Sequence, residues 1–146
     1  MWSKVEAKAL RQQFWTALGQ YMRPVPSAEG EAINGINYKT GNKAVRLRMQ
    51  EEKNLLQTII SVETIDGAQQ ALVWNTLQAH RSLLQPAEGH HWVWQADDHT
   101  IICRKTDVHI LQQAHWPQAI SFFKQSLVQA DAWWCHVKYF LPDTET

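Results

Sequence analysis

The sequence predicts an α+β fold in the order α-β-β-β-α-β-β-α, a mostly antiparallel five-stranded sheet packed by helices. Three observations carry this expectation. Apolar residues recur at helical spacing in three long segments, one at each end of the chain and one in the middle. Val45, Leu47 and Met49 alternate with Arg46, Arg48 and Gln50, which is the period of a strand with one dry and one wet face. Short turn sequences join most of the strand-like segments, so neighbours pair antiparallel and helices cover one side.

The elements follow in chain order. Ser3 and Glu6 form an S-x-x-E capping pattern ahead of Leu10, Phe14, Ala17, Leu18 and Tyr21, which predicts a helix over 4–21. Pro24 and Pro26 end it. Residues 36–39 form a short strand, and Thr40-Gly41-Asn42 a turn. Strands over 43–50 and 55–64 follow, separated by a polar turn at Glu51-Glu52-Lys53-Asn54, and the three strands make a meander. Asp66-Gly67 opens a second helix that runs to Leu84, with Val73, Leu77, His80 and Leu84 on one face. His91–Gln95 and Thr100–Lys105 are strands joined through Asp97-Asp98-His99. Residues 106–115 are irregular. Pro117 sits in the first turn of a last helix that reaches Tyr139, with Ile120, Phe123, Leu127, Ala130 and Trp134 facing inward. The tail PDTET is frayed.

The length of 146 residues suits one domain over 1–146. Apolar residues make up 45% and charged residues 19%, a globular balance. Eight tryptophans imply a large aromatic core, or else a stacking platform. Formal net charge is zero, so no global field draws the chain to nucleic acid or membrane. The charge is nevertheless uneven. Residues 1–54 hold nine Lys/Arg against five Asp/Glu, and residues 55–146 hold five against nine. That polarity favours self-association, with a homodimer as the simplest form. Two cysteines fit a reducing cytoplasm. No run reaches the ~20 apolar residues of a spanning helix, and the N-terminus lacks a secretory signal core, so a cytoplasmic location is expected.

Three blocks span nearly the whole chain: ALRQQFWTALGQYMRPVPSAEG, INYKTGNKAVRLRM and HWPQAISFFKQSLVQADAWWCHVKYF. Together they resemble an uncharacterised family of bacterial and archaeal domains of unknown function. Members of that family stand alone or follow restriction-endonuclease-like domains. Similar proteins carry an acidic residue before Trp-Pro, where this chain has His115. The resemblance implies a compact α+β domain, accessory to nucleic-acid processing in the fused relatives, and it carries over no catalytic residue.

The candidate binding residues are Lys39, Lys43, Arg46, Arg48, Trp92 and Trp94. The basic ones would meet phosphates from a sheet face. Against this stands a plain solvated strand face, with ion pairs to Glu51 or Glu63. The order α-β-β-β-α-β also resembles the core of restriction-endonuclease-like folds. Their metal chemistry needs an acidic residue followed by Asp/Glu-x-Lys on strands. Glu51-Glu52-Lys53 is an E-x-K placed in a turn, so a nuclease is the lesser alternative. His90, His91, Asp97, Asp98 and His99 gather around one hairpin without a metal-ligand spacing, and no metal or cofactor is expected. His80 and Cys135 read as packed helix residues. No phosphate-binding glycine loop and no nucleophile motif occurs. The sequence therefore points to a non-catalytic interaction domain whose partner is a protein, a second copy or nucleic acid.

Overall fold

The computed structural model describes residues 2–22, 38, 40–52, 54–64, 66–84 and 90–141. Helix α1 (Lys4–Met22) begins where Ser3 Oγ accepts the Glu6 N–H at 3.1 Å. Phe14, Leu18 and Met22 form its buried row at four-residue spacing. Tyr21, expected on that row, is 57% exposed, because Met22 continues the row instead. Pro24, Pro26 and the glycine-bearing stretch after them lie outside the described residues.

Strands β1 (Val45–Glu52) and β2 (Leu55–Val62) form a hairpin, with Val45 opposite Val62 and Glu52 opposite Leu55. The turn is tighter than the sequence suggests. Glu51 and Glu52 stay in the ladder, and Asn54 takes the left-handed conformation (φ 54°) that a two-residue hairpin connection requires.

The expected strand over 36–39 is present only as one bridge, Tyr38 to Leu47, with residues 36, 37 and 39 outside the described residues. Among the described residues the sheet thus has four strands, not five, in the order β1-β2-β4-β3. The second neighbour of β2 is β4 (Thr100–Thr106), while the Tyr38 bridge is to β1. Burial explains this. Every residue from Leu56 to Val62 is buried, so β2 is covered on both faces, as suits a strand in the middle of a sheet. Strand β3 (Trp92–Gln95) pairs with β4 as an antiparallel hairpin whose turn ends on His99 at φ 53°.

Helix α2 (Gly67–Ala79) is capped by Asp66, whose carboxylate accepts from Ala68 N and Gln69 N. It stops five residues before the expected end at Leu84. His80 Nδ1 pairs with the Thr76 carbonyl at 2.9 Å, taking the acceptor that the His80 N–H would use in a continuing helix. The backbone tightens into a 3₁₀ turn over Arg81–Leu83. Of the stretch 106–115 expected to be irregular, Thr106 ends β4 and Gln113–His115 form a 3₁₀ turn; in the irregular part between them Val108, Ile110 and Leu111 are buried, and Trp116 Nε1 donates to Ile110 O at 2.6 Å. Helix α3 (Trp116–Val137) starts with Pro117 in its first turn and ends in a 3₁₀ turn over Lys138–Phe140.

The side-chain contacts that tie helices to strands all fall on one side of the sheet among the described residues. Thr58 Oγ1 meets Ser126 Oγ at 2.7 Å, both fully buried. Trp94 packs edge-on against Trp133 and is tilted against Trp74. Phe14 of α1 joins Trp116 and Phe123 of α3. The register places Val45, Leu47, Met49, Glu51, Leu56, Thr58, Ile60, Val62, Ile101, Cys103, Trp92 and Trp94 on this inner side.

Candidate functional site

Alternation puts the other set of side chains on the outer side. Arg46, Arg48, Gln50 and Glu52 come from β1, Leu55, Gln57, Ile59 and Ser61 from β2, Thr100, Ile102, Arg104 and Thr106 from β4, and Val93 and Gln95 from β3. Arg46 is exposed and faces Ser61 across the ladder. Arg48 is opposite Ile59, and its Nε atom is buried, so the aliphatic stem lies down along the sheet. Ile59 and Ile102 are only 6% and 7% exposed, yet both stand apart from the main core cluster. They form a small dry strip at the centre of a face whose other positions are mostly polar, with Leu55 and Val93 as the other apolar members.

Arg46, Arg48 and Arg104 are the cations of this face, and Glu52 and Glu63 are the nearby anions. Arg48 Nη2 lies 3.6 Å from Glu63 Oε2, with the side chains 43% and 37% exposed. Such a pair is well hydrated and weak. Successive outward residues of a strand are about 6.8 Å apart. Arg46 and Arg48 thus present two charges in line along β1, with Arg104 two strands away.

The sequence-derived candidates divide. Arg46 and Arg48 lie on the outer face, as the alternation predicts. Lys43 is exposed just before β1, and Lys39 lies outside the described residues. Trp92 and Trp94 are on the opposite, helix-covered side. The Trp92 indole donates to Gln129 Oε1 at 3.3 Å. Trp94 is enclosed by Trp74, Trp133 and the Arg81 guanidinium, 5.4 Å from its ring centre. Neither ring faces the arginines, so the structure does not bring the two halves of the candidate set together. Arg104 completes the face and is not evident from the sequence. Its outward direction follows only from the pairing of β4 with β2, where Arg104 stands opposite Gln57.

The remaining candidates do not assemble into a second site among the described residues. Glu51 lies on the inner side and accepts from Arg11 Nε at 2.6 Å. Its E-x-K partner Lys53 lies outside the described residues. No group of three or more His, Cys, Asp or Glu side chains converges among the described residues. The His80 ring stacks on Phe140 at 4.5 Å. Burial pushes the Cys103 thiol up to about 11. Burial and the Asp131 carboxylate raise that of Cys135, whose Sγ donates to Asp131. Neither thiol has the lowered pKa of a nucleophile. Two shallow concavities occur elsewhere. One runs along the uncharged α1 face of Ala9, Gln13 and Ala17, and the other lies between Leu83 and the α3 residues Val128, Ala132 and Trp133. Neither gathers the charged groups that the outer sheet face presents.

A four-stranded antiparallel sheet with its described helices packed on one side and an arginine-bearing opposite face defines an α+β domain. The chain belongs to the domain of unknown function family DUF4268, whose model matches residues 10–138. No curated protein and no solved structure matches it. No described helix is long and apolar enough to cross a membrane.

Proposed function

We propose that this is a non-catalytic binding domain, cytoplasmic and accessory to nucleic-acid processing, whose outer sheet face holds the sugar-phosphate backbone. The observation that carries this is the placement of Arg46, Arg48 and Arg104 on one sheet face, with the described helices packed on the other side. Arginine forks suit phosphate oxygens, and the exposed Thr106 adds a hydroxyl of the kind that makes backbone contacts. The face has no aromatic residue at any of its ladder positions, so it offers phosphate contacts without base stacking. Binding is therefore expected to be salt-dependent, indifferent to base sequence, and stronger for a duplex than for a single strand of equal length.

The test is fluorescence anisotropy with a labelled DNA duplex across a salt series. Arg46→Glu/Arg48→Glu should abolish retention at 0.1 M salt, while Trp92→Phe leaves it intact. Binding that survives the double reversal would remove the outer face from consideration. A concentration-dependent mass by sedimentation with no nucleic-acid retention would replace nucleic acid by a second copy of the chain.

A further inference from the structure

Glu63 follows the last residue of β2, and its N–H donates to Ala44 O at 2.6 Å, which fixes it beside the entrance to β1. Its carboxylate accepts from Ser61 Oγ. Ser61 is the ladder partner of Arg46, and Arg48 Nη2 reaches past that row to within 3.6 Å of the same carboxylate oxygen. A hydroxyl and a guanidinium converging on one anionic oxygen are the donor types a phosphate takes. The contact with Arg48 is too long for a hydrogen bond. Arg48 Nε is buried and has no acceptor, so the guanidinium is under-satisfied as it stands. The carboxylate thus marks an anion seat and fills it loosely.

We infer that Glu63 is a resident competitor in a phosphate seat built by Ser61 and Arg48, and that a nucleic-acid phosphate displaces it on binding. This rests on the outer-face reading above. The seat sets a threshold: Arg48 contributes to binding only for a ligand whose phosphate outcompetes an anion already tethered beside it. A diffuse or weakly charged anion leaves Glu63 in place, whereas a duplex backbone, held at the same time by Arg46 and Arg104, moves it aside.

The test is the duplex titration repeated with Glu63→Gln, and with Glu63→Ala in case the glutamine retains a contact to Arg48. Freeing the seat should tighten binding about two- to fivefold, the equivalent of one exposed ion pair. The slope of log affinity against log salt should stay the same, because the Arg48 phosphate contact is made in both complexes and only the cost of moving Glu63 is removed. The gain in affinity should vanish in an Arg48→Gln background. Glu52→Gln is the control. It removes the same charge about 14 Å along β1 from Arg48 and should change neither quantity. If Glu63→Gln and Glu63→Ala bind no tighter than the wild type, or if Glu52→Gln produces the same gain, the seat is refuted and the outer-face reading stands. If the wild type fails to retain duplex, or retains it despite Arg46→Glu/Arg48→Glu, both fall together.

Discussion

The hydroxyl pair between Thr58 and Ser126 joins the middle of the sheet to the middle of α3, and it can be dissected by substitution. Both side chains are fully buried and their oxygens are 2.7 Å apart. Ser126 Oγ also has a second partner, the Phe123 carbonyl at 3.2 Å. The two single substitutions are therefore not equivalent. Thr58→Val is close to isosteric and leaves the Ser126 hydroxyl able to donate to Phe123 O, so it loses one hydrogen bond and should cost about 1 kcal/mol. Ser126→Ala removes the partner of a buried Thr58 hydroxyl, which must then stay unsatisfied, and should cost about 2 kcal/mol. In a domain of this size that is a fall in Tm of about 5 °C. The double variant Thr58→Val/Ser126→Ala replaces both polar groups and should cost about 1 kcal/mol less than the sum of the singles. Urea unfolding followed by tryptophan fluorescence measures all three, read as midpoints at constant m. A Thr58→Val penalty larger than that of Ser126→Ala, or strict additivity, would show that the hydroxyl pair is not the tie described.

Two further outcomes are expected. Trp94→Ala should lower stability by about 3 kcal/mol, because its ring is packed among Trp74, Trp133 and Arg81; intact stability combined with lost nucleic-acid retention would instead make Trp94 a ligand platform. His90 is held below its ordinary 6.5 by burial, then by the charge of Lys105 and by His91. Protonation therefore favours the unfolded chain, so the contribution of neutral His90 is intact above pH 6.5 and is lost as pH falls from there through the lowered folded value. The Tm difference between His90→Leu and wild type should accordingly shift in favour of the variant between pH 7.5 and pH 5, and a flat difference would rule this out.

Much of the fold was legible because local signals agreed with the final packing. Ser3 and Asp66 cap the helices they were expected to cap, and the alternation through Val45–Met49 assigns Arg46 and Arg48 to the correct side. What was not legible depends on partners distant in sequence. Nothing local to Leu55–Val62 says that β4 is its second neighbour. The same gap hid Arg104, whose direction is set by Gln57 in the other half of the chain. It also misgrouped the tryptophans. Trp92 and Trp94 do share one face of a strand, as their spacing requires, but only the pairing of Trp94 with Ile101 shows that this is the helix side. His80 ended α2 early through a side-chain bond to its own helix, a competition that apolar periodicity does not register.

Adjacent residues of β1 look in opposite directions, so the strand can be rewritten on one side while the other stays the same. Exchanging Arg46 or Arg48 for a different polar group alters what the outside of the domain attracts and leaves the seating of Val45, Leu47 and Met49 unchanged. A scaffold with this property can change its ligands in small steps, each reversible, without passing through an unfolded ancestor.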